Sequence, residues 1–103
     1  MNYQLVVKLW RKSLVDEAFL PAIESELQSV LGDTAKVDGY DVHDEEINLF
    51  VITPDPKHSF RRINRMLEKR AIVRGVSAAY RLVGGAQFTS IWPVRAARKF
   101  KLP

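Results

Sequence analysis

Glu46-Ile47-Asn48-Leu49-Phe50-Val51-Ile52-Thr53-Pro54-Asp55-Pro56, continuing as a basic segment from Lys57 to Arg70, is the stretch on which the fold turns. Ile47, Leu49 and Val51 alternate with Asn48, Phe50 and Ile52, a period of two among β-formers that predicts a strand. Asp55 supplies a capping side chain, and Pro56 stands at the first helical position, where its missing N–H costs nothing. Phe60, Ile63 and Leu67 then recur as one apolar helical stripe, with Met66 and the stem of Arg70 at its edges.

The flanking chain reads as elements that bury this strand and helix. Tyr3, Leu5, Val7 and Leu9 alternate with Gln4, Val6, Lys8 and Trp10, predicting a first strand. Phe19, Leu20, Ile23, Leu27, Val30 and Leu31 share one helical face. Asp16 suits the start of that helix, as its cap or as the third residue after a Ser13 cap. Pro21 falls about five residues in and predicts a local kink, while Gly32 supplies the stop. Ala35 to His43 alternates through Val37, Tyr40 and Val42, and Gly39 interrupts it as a bulge would. Asp44-Glu45-Glu46 then turns into the strong strand. After Arg74-Gly75, Val76–Val83 and Ala86–Trp92 read as two strands joined by a two-residue hairpin at Gly84-Gly85.

Strand, helix, strand, strand, helix, strand, with one further strand, predicts an α+β fold, a ferredoxin-like βαββαβ sandwich. Its antiparallel sheet carries two helices on one face and an extra C-terminal hairpin strand. Residues 1–93 form the single domain, and 94–103 are a basic C-terminal tail expected to be partly mobile. At 103 residues and 47% apolar, the chain has room for one real core. The absence of cysteine excludes disulfides, thiolate metal sites and cysteine nucleophiles. No basic-then-apolar leader and no membrane-length apolar run is present, so the expected location is the cytoplasm, with no membrane partner.

Charge is strongly polarised along the chain. Ser13 to Glu46 carries a net −9 and Lys57 to Pro103 a net +11, inside an overall +4. Such a chain binds an anion on one side, or pairs its halves internally or across a dimer.

Two candidate surfaces follow. On the sheet face away from the helices, Val6, Trp10, Phe50 and Ile52 form an apolar patch, with Lys8, Asn48 and Arg81 as polar contacts. A patch of this size points to a covering partner, with a homodimer or a covering tail placed ahead of a ligand. Arg81, a charge in mid-strand, requires a partner, either an acidic residue or a ligand in a pocket on this face. On the second helix, His58, Arg61, Arg62, Arg65 and Lys69 cluster opposite the apolar stripe. That arc is a solvated face, or a surface for an acidic protein or nucleic acid, extended by Arg95, Arg98, Lys99 and Lys101 of the tail. The basic-Gly-aromatic consensus of RNA-recognition domains is missing. Gly84-Gly85 does not precede a helix, so it makes no P-loop, and Asp55 occupies the helix N-terminus where an anion would sit. His43 with Asp44 and Glu45 reads as a solvated turn rather than a metal site. No catalytic constellation or cofactor motif stands out, and no cofactor is expected.

The segments "EEINLFVITPDP", Phe60 with Ile63, "SAAYRL", the glycine pair and "FTSIWP" resemble a group of small bacterial single-domain proteins of unknown function, over roughly the C-terminal two thirds. The resemblance implies the ferredoxin-like frame and no activity. The sequence therefore reads as a non-catalytic interaction or ligand-binding module, homodimeric through an open sheet face. Its alternatives are a nucleic-acid-binding domain using the basic helix and tail, and a small enzyme or ligand sensor with a pocket on the sheet face.

Overall fold

The computed structural model describes residues 2–13, 20–72, 75–93 and 99–103. Five strands form one antiparallel sheet: β1 (Tyr3–Trp10), β2 (Lys36–Val42), β3 (Glu46–Thr53), β4 (Ser77–Leu82) and β5 (Thr89–Trp92). Their spatial order is β2-β3-β1-β4-β5, so β1 is central, with β3 on one side and β4 on the other. Two helices, α1 (Leu20–Leu31) and α2 (Pro56–Lys69), complete the α+β fold.

The alternation read from sequence sets the layers. Leu5, Val7 and Leu9 of β1 and Ile47, Leu49 and Val51 of β3 are all buried against one helical layer. That layer brings Leu20, Ile23, Leu27 and Leu31 from α1 and Phe60, Ile63, Met66 and Leu67 from α2. Both helices therefore cover the same face, and register is pinned because a one-residue slip of either strand would turn its three apolar side chains to the other side. Fully burying each is worth about 1.5–3 kcal/mol.

The two ends of α2 are tightly specified. The Asp55 carboxylate accepts from the His58 N–H at 3.1 Å, and Thr53 Oγ1 accepts from the Asp55 N–H at 3.1 Å while pairing with the buried Ser59 hydroxyl at 2.7 Å. At the other end Ala71 N–H donates to Glu68 O and Ile72 N–H to Leu67 O, both at 2.9 Å, with Ala71 at φ 60°. This is a Schellman stop in which alanine holds the left-handed position usually given to glycine, at a cost of about 1 kcal/mol.

One local expectation, the turn between β4 and β5, is revised. Pro21 is the second described residue of α1, and the turn expected before it falls on residues 14–19, outside the described residues. The helix start expected at Ser13 or Asp16, and the apolar contribution of Phe19, involve residues 14–19, which lie outside the described residues. The Gly84-Gly85 hairpin is not a two-residue one. Gly85 N–H closes a turn onto Leu82 O at 2.7 Å, with Gly84 at φ 82°, and β5 resumes only at Thr89. The extra residues carry Phe88 to the Arg81 guanidinium (4.6 Å) and to the Phe100 ring (5.1 Å), contacts that no turn signal encodes. The bulge expected near Gly39 is present, as a register shift between Val37 and Tyr40 against β3.

Candidate functional site

The outer sheet face is built by Gln4, Val6, Lys8 and Trp10 of β1, with Phe50 and Ala79 paired across from Val6 and Asn48 across from Lys8. Its centre is closed. Val6, Asn48 and Ala79 have no exposed surface. C-terminal residues lie against it: the Lys8 ammonium donates to the Lys101 carbonyl at 2.6 Å and stands 4.6 Å from the centre of the Phe100 ring. The Phe100 ring in turn meets Phe88. Of the two covers weighed for this face, the chain's own tail supplies one. Phe50 and Ile52 remain half-buried, and Trp10, 44% exposed, is an open apolar rim.

Arg81 has no acidic partner among the described residues: its Nε donates to Gln4 Oε1 at 2.8 Å, and its guanidinium lies over Phe88. Beside it a polar ladder crosses three strands. Lys8 Nζ pairs with Glu46 at 3.3 Å, and Asn48 Nδ2 donates to Glu46 at 2.9 Å and to Asp41 at 3.1 Å. Asp41 also meets His43 Nε2 at 3.2 Å. Asn48 Oδ1 is buried with no hydrogen-bond partner among the described residues. Among those residues no group of three His, Cys, Asp or Glu is placed to hold a metal.

The helical surface is different. His58, Arg61, Arg62, Arg65 and Lys69 are all exposed. The arc divides along two grooves. Arg62 and Lys69, with Arg65, face the α1 side, where Glu26 and Val30 form the opposite wall. There Glu26 is already gripped by Arg70, through Nε at 2.7 Å and a terminal guanidinium nitrogen. Lys57, Arg61 and Arg65 face β5, across a wider groove of about 660 Å³ with Phe60 at its α2 wall and Ile91 and Trp92 on its far side. His58 lines neither. Lys57, Arg61 and Arg65 have no ion-pair partner among the described residues.

A bulge creates the second wall. Ser90 pairs with Ala79 and Trp92 with Ala78, so the register shifts by one residue between them. Ala78 belongs to the helix-side core, and Trp92 opposite it lies with its ring centre 6.4 Å from that of Phe60. Phe60 is 3% exposed, whereas Trp92 is 40% exposed. Regular alternation would have put Ser90 and Trp92 on one face.

Of the tail cations, those among the described residues do not extend this basic surface. Lys99 and Lys101 line a depression with Arg81, Phe88 and Phe100, on the opposite face of the sheet from α2. Arg95 and Arg98 lie outside the described residues. Sequence reasoning does not single out Lys57 or Trp92. Lys57 stands four residues before Arg61 and shares its side of α2, a signal available in the helical spacing. Trp92 carries no comparable signal.

The charge polarity of the sequence is also spatial. The acidic residues Asp38, Asp41, Asp44 and Glu45 gather on β2 and the β2–β3 corner, at the edge of the sheet remote from β5. No described helix is long and apolar enough to cross a membrane. The chain matches no protein-family model, no curated protein and no solved structure.

Proposed function

We propose that this protein is a binding module that takes an anionic partner along the groove between α2 and β5. The supporting frame is ferredoxin-like, a reading favoured by the central placement of β1 and by both helices lying on one face, with β5 added at the edge. One observation carries the functional reading: Lys57, Arg61 and Arg65 line one groove and have no carboxylate partners among the described residues. Three unneutralised cations along one wall raise the local concentration of anions and speed their capture. The choice of this groove over the outer sheet face rests on the closure of that face at Val6, Asn48 and Ala79. Binding is preferred to catalysis because, among the described residues, the groove lining includes no histidine and only one carboxylate, that of Glu68.

A charge-matched comparison tests the reading. Wild-type protein is expected to be retained on immobilised inorganic polyphosphate at low salt and to elute as salt rises. Lys57→Gln/Arg61→Gln/Arg65→Gln should elute at markedly lower salt, whereas Arg62→Gln/Lys69→Gln/Lys99→Gln, with the same net charge, should stay near wild type. Equal losses in the two variants would mean that net charge and not the groove does the binding.

A further inference from the structure

We infer that the anionic partner is a single-stranded nucleic acid, with its phosphates on Lys57, Arg61 and Arg65 and a base stacked on Trp92. The inference rests on the groove reading above and names the partner of that site. Lys57, Arg61 and Arg65 follow one another at four-residue intervals on α2, so successive cations are displaced by about 6 Å along the helix axis. That step is comparable to the separation of consecutive phosphates along an extended single strand. A backbone laid along α2 therefore meets one cation per phosphate over three nucleotides.

The opposite wall supplies what a simple polyanion would not use. Trp92 keeps 40% of its surface exposed beside cations that have no ion-pair partner among the described residues. A basic groove with an accessible aromatic ring is the arrangement by which single strands are held, because every base offers a π-face whatever its identity. A duplex hides those faces between its pairs. An acidic extended peptide would gain most by adding a strand to the β5 edge. That edge is four residues long and carries the register shift at Ala78 and Ala79, the short and irregular kind that discourages strand addition. The observations favour the nucleic acid.

The experiment is a titration of full-length protein against end-labelled dT15, a 15-base-pair duplex, inorganic polyphosphate and poly-glutamate of matched charge, read by fluorescence anisotropy. Binding of dT15 should weaken with salt at a logarithmic slope of about −2, as three phosphate contacts on a single strand require. Trp92→Leu, which keeps an apolar side chain beside Phe60, should weaken dT15 about tenfold or more without changing that slope. Lys57→Gln/Arg61→Gln/Arg65→Gln should flatten the slope. In a Trp10→Phe background, dT15 should quench the fluorescence of Trp92, a readout that requires no change at the site. If polyphosphate competes as well as dT15, Trp92→Leu has no effect and no quenching occurs, the stacking inference is overturned while the anion groove stands. Tighter binding of poly-glutamate or of the duplex than of dT15 overturns the inference in favour of that partner. If none of the four probes binds at low salt, both readings fall.

Discussion

Asn48→Asp is expected to lower folding stability at neutral pH by about 3 kcal/mol or more, and to give back most of that loss in acid. Asn48 has no exposed surface, and its amide donates to both Asp41 and Glu46. Aspartate removes both donors and brings a third carboxylate among two, with the Lys8 ammonium already shared between Glu46 and the Lys101 carbonyl. Burial and like charge both disfavour the ionised form, so the new carboxyl titrates above its unfolded value of about 3.9 in the folded protein. A raised carboxyl pKa means that the folded state binds more protons than the unfolded state between the two values. The penalty is therefore absent below the unfolded pKa and grows as pH rises through the folded one. Urea denaturation of variant and wild type at pH 7.0 and pH 4.5 measures it. A stability difference that is the same at both pH values would contradict the buried placement of Asn48 between the two carboxylates.

The second large effect is expected at Gly75, where alanine should cost about 2–4 kcal/mol. Two causes combine. Gly75 has φ 69°, a conformation that costs an L residue about 1–2 kcal/mol. A Cβ there would also collide with the Cβ of Trp10, an atom rigidly tied to the end of β1. Relief would require moving the strand or the loop, not merely rotating a side chain. Gly84 separates the two contributions, because it has φ 82° but nothing within 4 Å of the place its Cβ would take. Gly84→Ala should therefore cost only the conformational part, about 1–2 kcal/mol. Thermal unfolding of both variants tests the difference. Equal losses would show that Gly75 is not held against Trp10.

What the sequence disclosed and what it did not follow from the range of the interactions concerned. β1, β3 and α2 were legible because alternation, a cap residue and a proline at the first turn are local signals that all agree. The division of residues between the two faces of β1 and β3 followed from the same period. The bulge at Gly39 was legible because a glycine broke an otherwise regular alternation. The β4–β5 connection was misjudged because a glycine pair speaks only for a turn, whereas Phe88 is placed by Arg81 and Phe100, one near in sequence and one far.

The site was legible in part for the same reason. The basic arc of α2 could be drawn from residue spacing, since helix geometry fixes it. Its division into two grooves could not, because that depends on what stands opposite: Glu26 and Val30 on one side, Ile91 and Trp92 on the other. Nor could the side taken by residues 99–103, which puts Lys99 and Lys101 behind the sheet, with Arg81 and Phe100 rather than with Arg61. Trp92 reaches α2 through a one-residue register shift, and a shift of that kind leaves no mark in a four-residue strand. Asn48 was recognised as an outward polar residue. Its burial belongs to the assembled sheet, where its amide meets Asp41 of the neighbouring strand.

A 15N–1H chemical-shift titration with dT15 at low salt tests the central claim most directly, because it reports where on the protein an anionic partner sits. The groove account predicts the largest shifts at the amides of residues 57–65 and 90–92 and at the Trp92 indole N–H, fading as salt is raised. Shifts confined to β1, β3 and residues 99–103 on the outer sheet face would contradict it.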